Sequence, residues 1–134
     1  VMMTFVLDAS VLACWAFADE EHPIANKALE RIRSEEAIAP SLLWFEIRNV
    51  LMVGERRGRL SAADITLFLR EIGRLAIVLD HQPDEAVILA LVRQFQLSVY
   101  DASYLELAQR EGLPIATIDK ALQKAAKALG IALL

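Results

Sequence analysis

Two aspartates stand directly behind apolar runs. Asp8 follows Phe5-Val6-Leu7, and Asp119 follows Ile115-Ala116-Thr117-Ile118. If each run is a strand, both acids sit at strand carboxyl ends, where open α/β sheets form their ligand crevices at a reversal of strand order. Asp is also a favoured helix N-cap, so capping is the alternative for each. Glu46 is harder to assign to a structural role. It lies inside Leu42-Leu43-Trp44-Phe45-Glu46-Ile47, and on a helix it shares a face with Leu42, Leu43 and Val50. An ionised carboxylate on such a stripe is costly unless it is paired or bound to metal. Arg48, Asn49 or a local opening to solvent is the alternative partner. Asp101 stands between Leu97-Ser98-Val99-Tyr100 and an amphipathic stretch. It can cap that helix, and the helix dipole favours its charge. A capping carboxylate can still turn one oxygen towards a metal.

The elements that would position these acids alternate between short apolar runs and longer helical patterns, the mark of an α/β domain with a mainly parallel sheet. The first strand is Thr4–Leu7. A helix follows from Ser10, and another runs over Pro23–Arg33, with Pro23 suited to a first turn. Ala37–Ala39 is a short strand ended by Pro40. Ser41–Arg57 reads as a long helix stopped at Gly58. Ser61 and Asp64 resemble a capping box opening a helix to about Leu75. Ile77–Leu79 is a third strand, Pro83–Gln96 a helix, and Asp101–Glu111 a helix ended by Gly112 and Pro114. Ile115–Ile118 is a fourth strand, Lys120–Leu129 a helix, and Ile131–Leu134 a short fifth strand. No internal repeat or linker divides the chain, so residues 1–134 form a single domain.

With 134 residues, 56% hydrophobic and 24% charged, the chain can bury a core and is not a disordered sequence. No apolar run reaches the ~20 residues of a membrane span. Thr4–Leu7 lacks the basic flank and length of a signal peptide, and Val1-Met2-Met3 reads as including a cloning remnant. The single cysteine, Cys14, cannot form an internal disulfide, which suits the cytoplasm, and its apolar surroundings suit buried packing. A net charge of −4 argues against nucleic-acid binding through overall charge. It leaves room for an acidic site neutralised by metal.

Together these residues resemble the PIN-domain family, and most closely its VapC-like toxin branch. The resemblance rests on Phe5-Val6-Leu7-Asp8-Ala9-Ser10, with its D-x-S opening, and on Glu46 in an apolar helix after the second strand. It continues through Tyr100-Asp101-Ala102-Ser103-Tyr104-Leu105-Glu106-Leu107-Ala108 and Leu113-Pro114-Ile115-Ala116-Thr117-Ile118-Asp119-Lys120, followed by Leu122. It runs in order along almost the whole chain. It implies a PIN-like three-layer α/β/α fold with a central sheet of about five strands, order 3-2-1-4-5. Strands one and four are then neighbours, and Asp8 and Asp119 flank one crevice. By the same resemblance Asp8, Glu46, Asp101 and Asp119 become a catalytic metal cluster for Mg²⁺ or Mn²⁺, with Ser10 and Thr117 as polar support. Thr117 shares a strand face with Asp119 by the period of two. The implied activity is metal-dependent RNA hydrolysis by the toxin of a toxin–antitoxin pair. The implied partners are RNA, an antitoxin whose tail covers the crevice, and a second copy of the chain in a homodimer.

Such a cluster suits a phosphodiester, whose charge repels hydroxide until a divalent cation neutralises it. Mg²⁺ and Mn²⁺ prefer oxygen ligands. His22 and His81 lack zinc-site spacing to each other or to Cys14. Arg56, Arg57 and Arg59 around Gly58 could hold RNA phosphates, or simply form a solvated turn. Lys120, Lys124 and Lys127 form a solvated face on which Lys120 is best placed for substrate. Trp15 and Trp44 suit core or interface packing. Leu42-Leu43-Trp44-Phe45 and Leu67-Phe68-Leu69 offer more apolar surface than one core needs, which points to an interface. A haloacid-dehalogenase-like phosphatase would need a second aspartate where Ser10 stands. A receiver-like domain with Asp80 as phospho-acceptor would need an acidic pair after strand one. A catalytically inactive PIN-like module binding RNA or protein is the remaining alternative, against which the complete acidic set argues.

Overall fold

The computed structural model describes residues 3–134, so the reading of a cloning remnant at Val1 and Met2 lies outside the described residues. Its elements are β1 (Met3–Leu7), α1 (Ala9–Ala16), α2 (Pro23–Ile32), β2 (Glu36–Pro40), α3 (Leu43–Arg56), α4 (Ala62–Ile72), β3 (Ile77–Asp80), α5 (Glu85–Phe95), α6 (Val99–Glu111), β4 (Ile115–Ala116) and α7 (Lys120–Ala128). The strands form one parallel sheet in the order β3-β2-β1-β4. The chain winds outward from β1 to β3, then crosses back to lay β4 on the other side of β1. Right-handed crossovers place the helices of these two excursions on opposite faces. Accordingly α1 packs on α2 and α3, whereas α5 packs on α6, and α6 lies along β1, β2 and β4. The result is three layers, α/β/α.

The inner strands are apolar because helices cover both their faces. Phe5, Val6 and Leu7 of β1 and Ala37, Ile38 and Ala39 of β2 are all buried. They meet Leu12, Leu43, Ile47 and Leu51 from the helices of one excursion and Leu105, Leu107 and Ala108 from α6. The expected fifth strand is reduced to one parallel bridge, Ile115 to Leu133. The reason is the length of β4. It spans only Ile115–Ala116, so an outer neighbour has almost no ladder to extend. The fourth strand therefore stops before Thr117 and Ile118, and Thr117 and Asp119 are not on a common strand face. They lie in a turn, where the Thr117 hydroxyl accepts the Asp119 N–H at 3.1 Å.

Local chemistry sets the helix ends. Ser61 and Asp64 form a reciprocal capping box on α4. His22 caps α2 by accepting the Ile24 N–H on Nδ1 at 3.1 Å, with Pro23 in the first turn. The N-cap of α6 is Ser98, whose hydroxyl accepts the Asp101 N–H at 3.0 Å. Asp101 is thus inside the first turn and is not the cap. Cys14 is half-buried against the core, not enclosed by it.

Candidate acidic active site

The ends of β1 and β4 are joined by backbone and side-chain bonds. The Asp8 N–H donates to the Ala116 carbonyl at 3.0 Å. Above that bond, Asp8 Oδ2 accepts from the Ser10 hydroxyl at 2.5 Å and the Thr117 hydroxyl at 2.8 Å. Each hydroxyl also accepts a backbone N–H from the turn after β4: Ser10 from Ile118 at 3.1 Å, Thr117 from Asp119 at 3.1 Å. Gln123 secures the same turn by donating its amide to the Thr117 carbonyl at 2.8 Å. Ser10 and Thr117 therefore clamp Asp8 and place the Asp119 turn beside it. Both aspartates are also helix caps: Asp8 on α1, and Asp119 on α7, where Oδ1 accepts the Leu122 N–H at 2.9 Å. Capping and a crevice position coexist at both.

Glu46 and Asp101 come to the same crevice from α3 and α6. Glu46 is half-buried, and its partner is neither Arg48 nor Asn49. The Tyr104 hydroxyl, on α6, donates to Glu46 Oε1 at 2.6 Å. Arg48 instead stacks on the Trp44 ring at 3.7 Å and donates to the Trp44 carbonyl. Burial pushes the Asp8 carboxyl above its ordinary range, against the opposing bonds from Ser10 and Thr117. Glu46 is raised by burial first, against the Tyr104 bond, and then by the charges of Asp8 and Asp101. Asp101 is raised by burial and then by the charges of Asp119 and Asp8. Charge thus links Glu46 to Asp8 and Asp101, and Asp101 to Asp8 and Asp119. Burial pushes the Tyr104 phenol far up as well, with the charge of Asp8 next in weight, so it remains a proton donor at any ordinary pH.

As the side chains stand, no group of three or more His, Cys, Asp or Glu among the described residues is placed to hold a metal ion. The acids are coupled neighbours, not a closed cage. That suits Mg²⁺, which usually keeps several waters and takes only one or two carboxylates beside substrate phosphates. An all-oxygen set with spare carboxylate oxygens fits such an ion.

The basic residues divide. Lys120 is exposed at the first position of α7, next to Asp119. Arg56 and Arg57 lie at the far end of α3. At about 1.5 Å per residue they are roughly 15 Å along the helix axis from Glu46. Arg59 is engaged elsewhere: it donates to Asp19 at 2.9 Å and to Glu20 at 2.8 Å, and stacks on Phe17. The structure does not bring these arginines to the acidic crevice. Of the apolar segments expected to be surplus, Leu43 is core, while Trp44, Phe45 and Leu67 are exposed. Trp15 is tied down by its indole N–H, which donates to the Ala25 carbonyl.

Two features are not evident from the sequence alone. One is Tyr104, three residues after Asp101 and so on the same helix face. The other is a partly exposed ionic network around the buried Glu106 at the end of β3. Arg110 donates to Glu106 at 2.7 and 3.1 Å and to both oxygens of Asp80 at 3.1 and 2.8 Å. The Asp84 N–H also donates to Glu106. Asp80, the residue a receiver-like reading would phosphorylate, is one end of this clamp. The i,i+4 spacing of Glu106 and Arg110 within an apolar helix was its legible signal.

A doubly wound parallel α/β/α domain with carboxylates at its reversal point defines the class of protein. Within that class the chain belongs to the PIN-domain family, whose sequence model matches residues 5–128. Among characterised relatives, the chain is similar to Ribonuclease VapC3 of Pyrobaculum aerophilum, at 28% identity over 130 residues, 95% of this chain and 98% of that one. The crystal structure of PAE2754 from Pyrobaculum aerophilum shares the fold, with a TM-score of 0.72 at 23% identity over 93% of this chain and 87% of the other.

Proposed function

We propose that this PIN-domain protein is a metal-dependent endoribonuclease, acting as the toxin of a toxin–antitoxin pair. The observation that carries the reading is that Asp8 and the Asp119 turn are held together at the sheet's reversal point, with Glu46 and Asp101 close enough to feel the charge of Asp8. The full-length similarity to a ribonuclease of the VapC type supports RNA as the substrate. When bound, Mg²⁺ or Mn²⁺ neutralises the phosphodiester and makes a water acidic enough to serve as nucleophile. Asp8 and Asp119 would supply oxygens to the cation directly or through water, and Glu46 and Asp101 would hold the cation or orient water. Ser10 and Thr117 hold Asp8 in place. Lys120, exposed beside Asp119, receives a backbone phosphate. Hydrolysis forms a new oxygen–phosphorus bond from water and breaks the bond to the leaving ribose oxygen.

In this reading a second copy of the chain and an antitoxin cover the exposed apolar residues Trp44, Phe45 and Leu67, and the antitoxin's tail closes the acidic crevice. No helix among the described residues is long and apolar enough to cross a membrane. The test is cleavage of a mixed RNA pool by the purified protein with Mg²⁺, with Mn²⁺ and with chelator. Cleavage with either metal and none with chelator is expected. Cleavage unaffected by chelator, or none under any condition, contradicts the proposal.

A further inference from the structure

Glu46 approaches the crevice on a flexible side chain, half-buried and facing two like charges. Repulsion from Asp8 and Asp101 favours any rotamer that swings it out to solvent. No salt bridge among the described residues holds it, since Arg48 is committed to Trp44. What holds it is Tyr104. This phenol is 0% exposed and is among the largest wholly buried side chains of the protein. Its ring is fixed by core packing, so its hydroxyl marks one point in space, 2.6 Å from Glu46 Oε1. The bond joins α6 to α3 across 58 residues of sequence. It engages Oε1 of the carboxylate.

We propose that Tyr104 is a positioning residue for the reaction: its hydroxyl fixes the orientation of Glu46 so that the carboxylate stays beside Asp8 and Asp101. The inference rests on the metal-dependent reading above. A purely structural role is the competing explanation, because a buried tyrosine hydroxyl usually finds some partner. The Tyr104→Phe variant separates the two. It keeps the ring and removes the hydroxyl, and the half-buried Glu46 can take water in its place.

The experiment uses the whole protein in four forms: native, Tyr104→Phe, Glu46→Gln and the double variant. Mn²⁺ binding is read from the loss of the free-ion paramagnetic resonance signal, beside melting temperature and the rate of RNA cleavage. Groups that orient metal ligands typically contribute about 10–100-fold to affinity or activity. Tyr104→Phe is expected to melt within a few degrees of native and to bind Mn²⁺ about tenfold more weakly. The double variant should bind no worse than Glu46→Gln alone, because Tyr104 acts through Glu46. Native-like Mn²⁺ affinity and turnover in Tyr104→Phe overturns the inference, as do independent, multiplying losses in the double variant. A large drop in melting temperature assigns the hydroxyl a structural role and overturns it too. If the native protein neither binds Mn²⁺ nor cleaves RNA, the functional reading itself has failed, an outcome distinct from the other three.

Discussion

The most exposed consequence of the fold is the dependence of α6 on Arg110. That helix carries both Asp101 and Tyr104, and its far end is clamped by the Glu106–Arg110–Asp80 network. The Glu106 side chain is 2% exposed and that of Arg110 31%. Replacing Arg110 by Met keeps the apolar stem but leaves Glu106 buried with only the Asp84 N–H as donor. Breaking a fully buried pair costs about 3–5 kcal/mol. Because Arg110 is partly solvated, water screens some of the loss, and about 2–3 kcal/mol is the reasoned figure. For a domain of this size that lowers Tm by roughly 10 °C. Thermal and urea unfolding followed by circular dichroism measure it. Adding Glu106→Gln to Arg110→Met should recover about 1 kcal/mol or more, since no buried charge then remains unpaired. A loss below about 0.5 kcal/mol, as for an ordinary surface pair, refutes the reasoning.

The metal-free protein should lose stability as pH rises from mildly acidic to neutral. Asp8, Glu46 and Asp101 are all raised in the fold, so the folded state binds more protons than the unfolded one, whose carboxyls titrate near about 4. Their stabilising contribution is full below that unfolded value and is lost as pH climbs through the raised folded values. Asp80, lowered first by its bond from Arg110, acts oppositely and loses its contribution on strong acidification. Melting curves with chelator should show the fall, Mg²⁺ or Mn²⁺ should restore stability by binding the folded state, and a metal-free Tm rising steadily to neutrality contradicts it. Ser98→Ala should cost about 1 kcal/mol as the loss of the α6 cap; no change in unfolding free energy contradicts that role. Sedimentation should find a dimer that Phe45→Lys dissociates, because Phe45 is 71% exposed; a native monomer at high concentration contradicts it.

What could be read in the sequence was what local chemistry decides. The apolar runs at β1 and β2 and the Ser61–Asp64 box declared their elements without tertiary information. The sheet order came through the family resemblance, and β4 fell beside β1 as expected. The fifth strand did not follow, because a strand's existence depends on its partner's length and β4 is two residues long. Asp101 looked like a cap, but the helix begins two residues earlier, at Val99, and Ser98 caps it. Ser98 and Asp101 repeat the spacing of Ser61 and Asp64, so the signal was present. The partner of Glu46 was hidden for a different reason: Tyr104 is 58 residues away, and only the packing of α6 across the sheet joins them. The same holds for Arg59, whose acidic partners lie 40 and 39 residues back.

Asp101 offers the most direct test of the central claim. Asp8 and Asp119 cap helices, so their replacement disturbs structure and site together. Asp101 leaves capping to Ser98, and its carboxylate belongs to the charged group in the crevice. The decisive measurement is the single-turnover rate of RNA cleavage in saturating Mg²⁺ for native protein and Asp101→Asn, with melting curves for both. An unchanged or higher metal-free Tm is expected, with a rate lower by on the order of a hundredfold or more. Cleavage by folded Asp101→Asn at the native rate would contradict it.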